Sequence, residues 1–102
     1  MTLTSIPVNQ RRLEAFCWRY HVRRLALFGS VLRADFRPDS DVDVLVEFEP
    51  GHTPGFLALA TMERELSPLL GGRTVDMQTP QSLSRYFRDE VIRTADVQYA
   101  AS

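Results

Sequence analysis

Asp41-Val42-Asp43-Val44-Leu45-Val46-Glu47-Phe48 alternates with the two-residue period of a β-strand. Val42, Val44, Val46 and Phe48 share one face, leaving Asp41, Asp43, Leu45 and Glu47 on the other. The valines anchor such a strand in a core. Residues two apart point the same way at roughly 6.5 to 7 Å, so Asp41 and Asp43 set two mutually repelling carboxylates side by side. A hard divalent cation between them removes the repulsion, and Mg²⁺ takes carboxylate oxygens while keeping positions for water and phosphate. The pair predicts a metal site.

Upstream, Arg24 to Phe28 is a short apolar run stopped by Gly29-Ser30, a strand entering a tight turn, with a helical turn over Val31 to Ala34. Glycine lets backbone approach a ligand, and the unpaired N–H groups of a strand-to-helix turn suit a phosphate. The Ser30 hydroxyl adds a hydrogen-bond donor, and Arg33 and Arg37 offer guanidinium forks to phosphate oxygens. Asp35 to Ser40 forms a loop. Six acids but one base, Arg37, fall between Asp35 and Glu49, which makes the region locally negative.

Farther out, Leu13, Phe16, Cys17 and Tyr20 recur at helical spacing within Pro7 to Tyr20, with Trp18 expected to be partly buried beside that stripe. Downstream of the breaker-rich loop Pro50 to Pro54, Leu59, Met62, Leu66 and Leu69 mark a second helix over Gly55 to Leu70 that stops at Gly71-Gly72. Arg73 to Met77 is a short strand with Val75 and Met77 on one face and Thr74 and Asp76 on the other. If it neighbours the Asp41 strand, three carboxylates converge. Thr79-Pro80 supplies a cap and first-turn proline for a C-terminal helical region, broken or continuous, in which Leu83, Phe87, Val91 and Ala95 repeat every four residues. Alternating helices and strands predict an α/β or α+β sheet with helices packed on it.

The 102 residues carry 12 basic and 13 acidic side chains, 44% hydrophobic and 10% aromatic residues, which predicts one folded domain over 1–102. Every basic side chain is Arg, and the near balance of charge removes the basic face that stable binding of duplex DNA needs. With one cysteine, no intrachain disulfide or cysteine zinc cluster can form. Cys17 is expected in the core and His52 at the surface. Met1 to Pro7 lacks the features of a signal peptide and no run approaches the ~18 apolar residues of a membrane span, so a cytoplasmic protein is expected. A calcium loop starting at Asp39 fails, with Val44 where glycine and Pro50 where glutamate are required. Without lysine there is no phosphate-binding P-loop.

Leu27-Phe28-Gly29-Ser30-Val31-Leu32-Arg33-Ala34-Asp35, followed by Arg37-Pro38-Asp39-Ser40-Asp41 and the strand to Phe48, closely resembles the minimal nucleotidyltransferase family of the DNA polymerase beta superfamily. The specific combination is Gly-Ser, ten intervening residues, Asp-x-Asp on an apolar strand and a later strand carrying Asp76. The resemblance extends through Arg73-Thr74-Val75-Asp76-Met77 and the C-terminal helices, nearly the whole chain. It implies the polymerase-beta-like nucleotidyltransferase fold, a small mixed sheet with helices on one face, and an active site using Mg²⁺ and a nucleoside triphosphate, usually ATP. By the same resemblance Gly29 and Ser30 hold the triphosphate, Asp41 and Asp43 bind two Mg²⁺ ions, and Asp76 binds the catalytic one and helps the incoming hydroxyl lose its proton. Ala34 departs from the family's usual glycine after the arginine matched by Arg33.

Bacterial members are commonly paired with a HEPN-domain ribonuclease toxin, and their antitoxin role involves transferring AMP to a tyrosine of that partner. The expected function is therefore AMP transfer from ATP to a hydroxyl of such a toxin. The alternatives are an antitoxin that occludes its toxin without catalysis, and a transferase acting on a small hydroxylated molecule.

Overall fold

The computed structural model describes residues 8–29 and 41–101. The expectations placed on Ser30, Val31 to Ala34, Arg33, Arg37 and the Asp35 to Ser40 loop lie outside the described residues.

The first helix, α1, runs over Gln10–Arg19. Its N-cap is Asn9, whose Oδ1 accepts the Arg12 N–H at 3.1 Å and satisfies one otherwise unpaired donor of the first turn. Leu13, Phe16 and Cys17 are buried along one stripe, as their spacing requires, and the Phe16 ring leans on that of Tyr20 with centroids 5.1 Å apart. Trp18, expected to be partly buried, is instead 79% exposed. The ~100° turn per residue carries it past the edge of the stripe, and nothing in the described residues covers it.

The strands are β1 (Val22–Phe28), β2 (Val42–Phe48), β3 (Val75–Gln78) and β4 (Asp96–Ala100), in the order β3-β2-β1-β4. β1 pairs antiparallel with both β2 and β4, whereas β2 and β3 are parallel. Parallel neighbours need a crossover between them. The second helix, α2 (Phe56–Leu66), provides it, ending in a 3-10 turn over Ser67–Leu70 where Pro68 brings no N–H for another α-helical bond. Leu13, Phe16 and Cys17 of α1 and Met62 and Leu66 of α2 pack on one face of the sheet, against Leu25, Leu27, Val42, Val44, Val46, Val75 and Met77. Both helices thus cover the valine face.

The C-terminal region departs from its sequence pattern. Only Arg88–Thr94, the third helix α3, is α-helical; Pro80–Ser82 is a separate 3-10 turn capped by Thr79, and Asp96–Ala100 is a strand. The four-residue repeat Leu83, Phe87, Val91, Ala95 predicted helix through this stretch, but Phe87 is exposed and α3 buries no residue. The helix stops because long-range pairing wins: Tyr99 sits opposite Leu25 and packs on the core, and the Ala101 N–H donates to the Arg23 carbonyl at 2.8 Å. Strand pairing with a partner so distant in sequence leaves no local trace. Among the described residues no helix is long and apolar enough to cross a membrane.

Burial pushes the Cys17 thiol up to about 12, with the nearby Glu14 carboxylate adding to the shift. A thiol that is 0% exposed and so reluctant to ionise should not react with a disulfide reagent in the native chain at about pH 8. It should react fully once guanidinium unfolds the protein, and rapid labelling of the native chain would show that α1 is not seated as described.

Candidate active site

The face of the sheet away from α1 and α2 carries the polar residues. A register irregularity between Val22 and Arg24 resets the alternation of β1, so Val22, Leu25 and Leu27 enter the core while Arg24, Ala26 and Phe28 turn to the other side. There they meet Glu47, Leu45 and Asp43 in turn. The Arg24 guanidinium pairs with Glu47 at 3.6 Å, and Ala26 and Leu45 are buried. Beyond them the apolar surface gives way to carboxylates.

β3 does neighbour β2, and its register places Asp76 directly across from Asp43. Partners in a parallel ladder project to the same face from strands ~4.8 Å apart. Asp41 lies two residues before Asp43 at the mouth of β2, where the Val42 N–H donates to the Thr74 carbonyl at 2.8 Å and fixes the entry of the strand beside β3. Asp41, Asp43 and Asp76 therefore occupy one end of one face, with Asp41 and Asp76 exposed and Asp43 half-buried. The set consists only of carboxylates, which are the ligands a hard cation such as Mg²⁺ takes, and the residues present fit that ion.

Gly29 closes the site from β1. Its φ of +74° is left-handed, a conformation that costs a residue with a Cβ. The space is also taken: a Cβ built on Gly29 would clash with the Asp43 Oδ2 and lie 3.3 Å from its Cγ. The missing side chain is what allows the Asp43 carboxylate to rest against the end of β1. Of the residues expected to hold phosphate, Gly29 is thus beside the carboxylates, while Ser30 and Arg33 lie outside the described residues.

Two supporting residues carried no signal in the sequence. Gln78 donates from Nε2 to the Asp76 Oδ1 at 3.1 Å and orients that carboxylate. Glu63 of α2 accepts the Met77 N–H at 2.7 Å through Oε2, satisfying a donor on the outer edge of β3. A groove of about 390 Å³ runs along this edge, lined by Asp76, Gln78, Glu63, Ser82 and the exposed Phe56 among others. It leaves the Asp76 end of the site open to solvent. Glu63 reads from sequence as one more acid on the polar face of a helix, because its role depends on a strand that follows later.

Comparison with known proteins places the chain in a family and a fold. The pattern of the nucleotidyltransferase domain family matches residues 10–97. Protein adenylyltransferase MntA of Thermococcus cleftensis is 40% identical over 75 residues, covering 74% of this chain and 73% of its own. A solved structure described as that of a minimal nucleotidyltransferase superposes with a TM-score of 0.66 at 38% identity, covering 84% of this chain and 85% of the other. A toxin–antitoxin crystal structure with AMP-PNP has the same fold, with a TM-score of 0.71 at 18% identity over 93% of this chain and 76% of that one.

The contact between Gly29 and Asp43 makes a quantitative expectation. Gly29→Ala should destabilise the chain by about 1 to 2 kcal/mol from the left-handed backbone alone, and by more because the new methyl group meets the Asp43 carboxylate. Truncating that carboxylate as well, in Gly29→Ala/Asp43→Ala, should recover the second part. Denaturant unfolding of the two single variants and the double variant measures the coupling. Strictly additive penalties would mean that the two residues do not touch.

Proposed function

The chain belongs to the nucleotidyltransferase domain family, and from that premise we propose that it transfers AMP from ATP to a hydroxyl of a partner protein. The observation that carries this reading is the register that sets Asp76 beside Asp43 on the face where Asp41 also lies, with Gly29 kept bare against them. The name of the Thermococcus relative, a protein adenylyltransferase, supports a protein acceptor, and the toxin–antitoxin structure of like fold supports a toxin as that protein. We take the acceptor to be a tyrosine of a HEPN-type ribonuclease toxin, modified in the cytoplasm, and the chain to be its antitoxin.

In this proposal Asp41, Asp43 and Asp76 would hold two Mg²⁺ ions. Bound there, the metal supplies charge stabilisation for the attacking and leaving oxygens of an in-line displacement. The rest falls to the chain. Gly29, together with Ser30 and Arg33, binds the triphosphate and aims the α-phosphorus. The tyrosine oxygen forms a bond to that phosphorus as the bond to the bridging oxygen breaks and pyrophosphate leaves. The phenolic proton passes to the Asp76 carboxylate. Gln78 occupies Oδ1 of Asp76 and so leaves Oδ2 as the oxygen that receives the proton. The open groove beside Asp76 admits an acceptor carried on a folded protein, which a closed pocket would not.

ATP labelled at the α-phosphate distinguishes transfer of AMP from transfer of the terminal phosphate, and a mass shift of the partner counts the units added. Asp41→Asn and Asp43→Asn should abolish transfer and leave the fold intact or slightly more stable, since each removes a like charge from a crowded face. In Asp76→Asn, calorimetry should still detect binding of Mg-ATP while transfer slows by at least ~100-fold, the lower end of what a positioned acid-base group contributes. Full transfer by Asp76→Asn would remove it from the chemistry. A variant unable to transfer that still protects cells from the toxin would instead favour occlusion.

A further inference from the structure

The other end of β1 and β2 holds a second group of ligating side chains. β1 and β2 are paired from Phe28 opposite Asp43 to Val22 opposite Phe48, so the carboxylate end and the far end are roughly 20 Å apart. His21 immediately precedes β1, and Glu49 immediately follows β2. Their backbones are tied by a hydrogen bond from the Glu49 N–H to the His21 carbonyl, 2.9 Å long. Glu49-Pro50-Gly51-His52 then closes a tight turn, with the His52 N–H donating to the Glu49 carbonyl at 3.0 Å and Gly51 at φ +82°. Proline followed by left-handed glycine is the chemistry of a type II turn. The turn returns His52 to His21, and the two imidazoles stack with centroids 3.9 Å apart.

His21 is also the only non-glycine residue at positive φ among the described residues, at +58°. Holding a histidine there takes support from its surroundings. The support is visible: its N–H donates to the Trp18 carbonyl at 3.4 Å while its own carbonyl takes the Glu49 bond. The backbone thus brings two imidazoles and one carboxylate together. His21 Nδ1 lies 4.0 Å from Glu49 Oε2, and one ligating atom from each of the three residues falls within 4.8 Å of the other two.

We propose that His21, Glu49 and His52 form a binding site for a borderline transition-metal dication, with Zn²⁺ as the ion its donors fit best. Two imidazole nitrogens and one carboxylate oxygen are a set that zinc takes with a water as fourth ligand, whereas Mg²⁺ disfavours nitrogen. The ligands of a tetrahedral zinc stand about 3.4 Å apart for bonds near 2.1 Å, so the side chains must close by about an ångström. All three side chains are exposed, and holding the ion would unstack the two rings. The ion would clasp the start of β1 to the loop between β2 and α2, away from the carboxylates that face the nucleotide.

The chain has only two histidines and both are in this cluster, so imidazole resonances report on this site alone. The test titrates Zn²⁺ into the full, tag-free chain in excess Mg²⁺, with the histidine ring signals followed by NMR. Both rings should shift and saturate at one equivalent of zinc, and Mg²⁺ by itself should leave them unmoved. Glu49→Gln should weaken zinc binding at least ~10-fold, the lower end of what the loss of even an outer ligand partner costs. His52→Ala, a change in an exposed loop, should weaken the zinc response of His21 by at least as much, with the amide spectrum confirming the fold. Rings that do not move with zinc would overturn the proposal. So would a His21 response of undiminished affinity in His52→Ala.

Discussion

The parallel pairing of β2 with β3 is the constraint from which the rest of the molecule follows. It sets Asp76 across from Asp43, so two carboxylates that no folded core would choose as neighbours share one face. Parallel strands cannot be joined by a hairpin, and the chain must leave the sheet at one end and re-enter it at the other. α2 is that excursion. Its buried Met62 and Leu66 need an apolar face, and the valines of β2 supply it on the side opposite the carboxylates. One pairing thus fixes the acidic face, the crossover helix and the face on which that helix packs.

The same helix steadies the strand it serves. β3 is four residues long and lies on the edge of the sheet, which leaves it little of its own to hold register. Glu63 of α2 takes the Met77 N–H, one residue beyond Asp76, and so bonds the crossover to the strand whose carboxylate must be placed. Two residues on, on another side of α2, Glu65 accepts a hydrogen bond from the Tyr20 hydroxyl and pairs with Arg19 at 3.5 Å, tying α1 to α2. The hydrogen bond to that carboxylate raises the Tyr20 hydroxyl above its ordinary pKa. Successive polar residues of α2 therefore reach two different neighbours. That spacing is as important to the arrangement as the apolar stripe between them.

What could be read beforehand divides by range. The β2 alternation, the Leu13-Phe16-Cys17 stripe and the split of Val75 and Met77 from Asp76 are local patterns, and each appears in the structure as its period demands. Asp41 and Asp43 were legible because a strand that buries three valines has no structural use for acids on its other side. The convergence of Asp76 depended on a pairing that the sequence could state only as a condition. β4 was missed because a five-residue strand with Asp96, Gln98 and Tyr99 half-buried and Val97 and Ala100 exposed has too weak a pattern to outweigh the helical repeat before it. Its existence rests on β1. The meeting of His21 with His52 was equally invisible, since it requires β1 and β2 to end together and Pro50-Gly51 to turn the chain back by the right amount.

The acidic face has an energetic consequence for the fold. Like charges set across adjacent strands weaken the pairing that holds them, and a left-handed glycine at the end of β1 adds conformational entropy to the unfolded chain. Both terms act at the same end of the sheet. The compensation lies directly behind it, where Leu27, Val42, Val44 and Val75 are buried on the reverse face of the very residues that carry or flank Gly29, Asp43 and Asp76. Because side chains alternate, a strand can place its most expensive residues and its most stabilising ones at adjacent positions. A cation arriving on the outer face would then relieve repulsion without asking the core to move, which lets the site be poor in stability when empty and still be held in register.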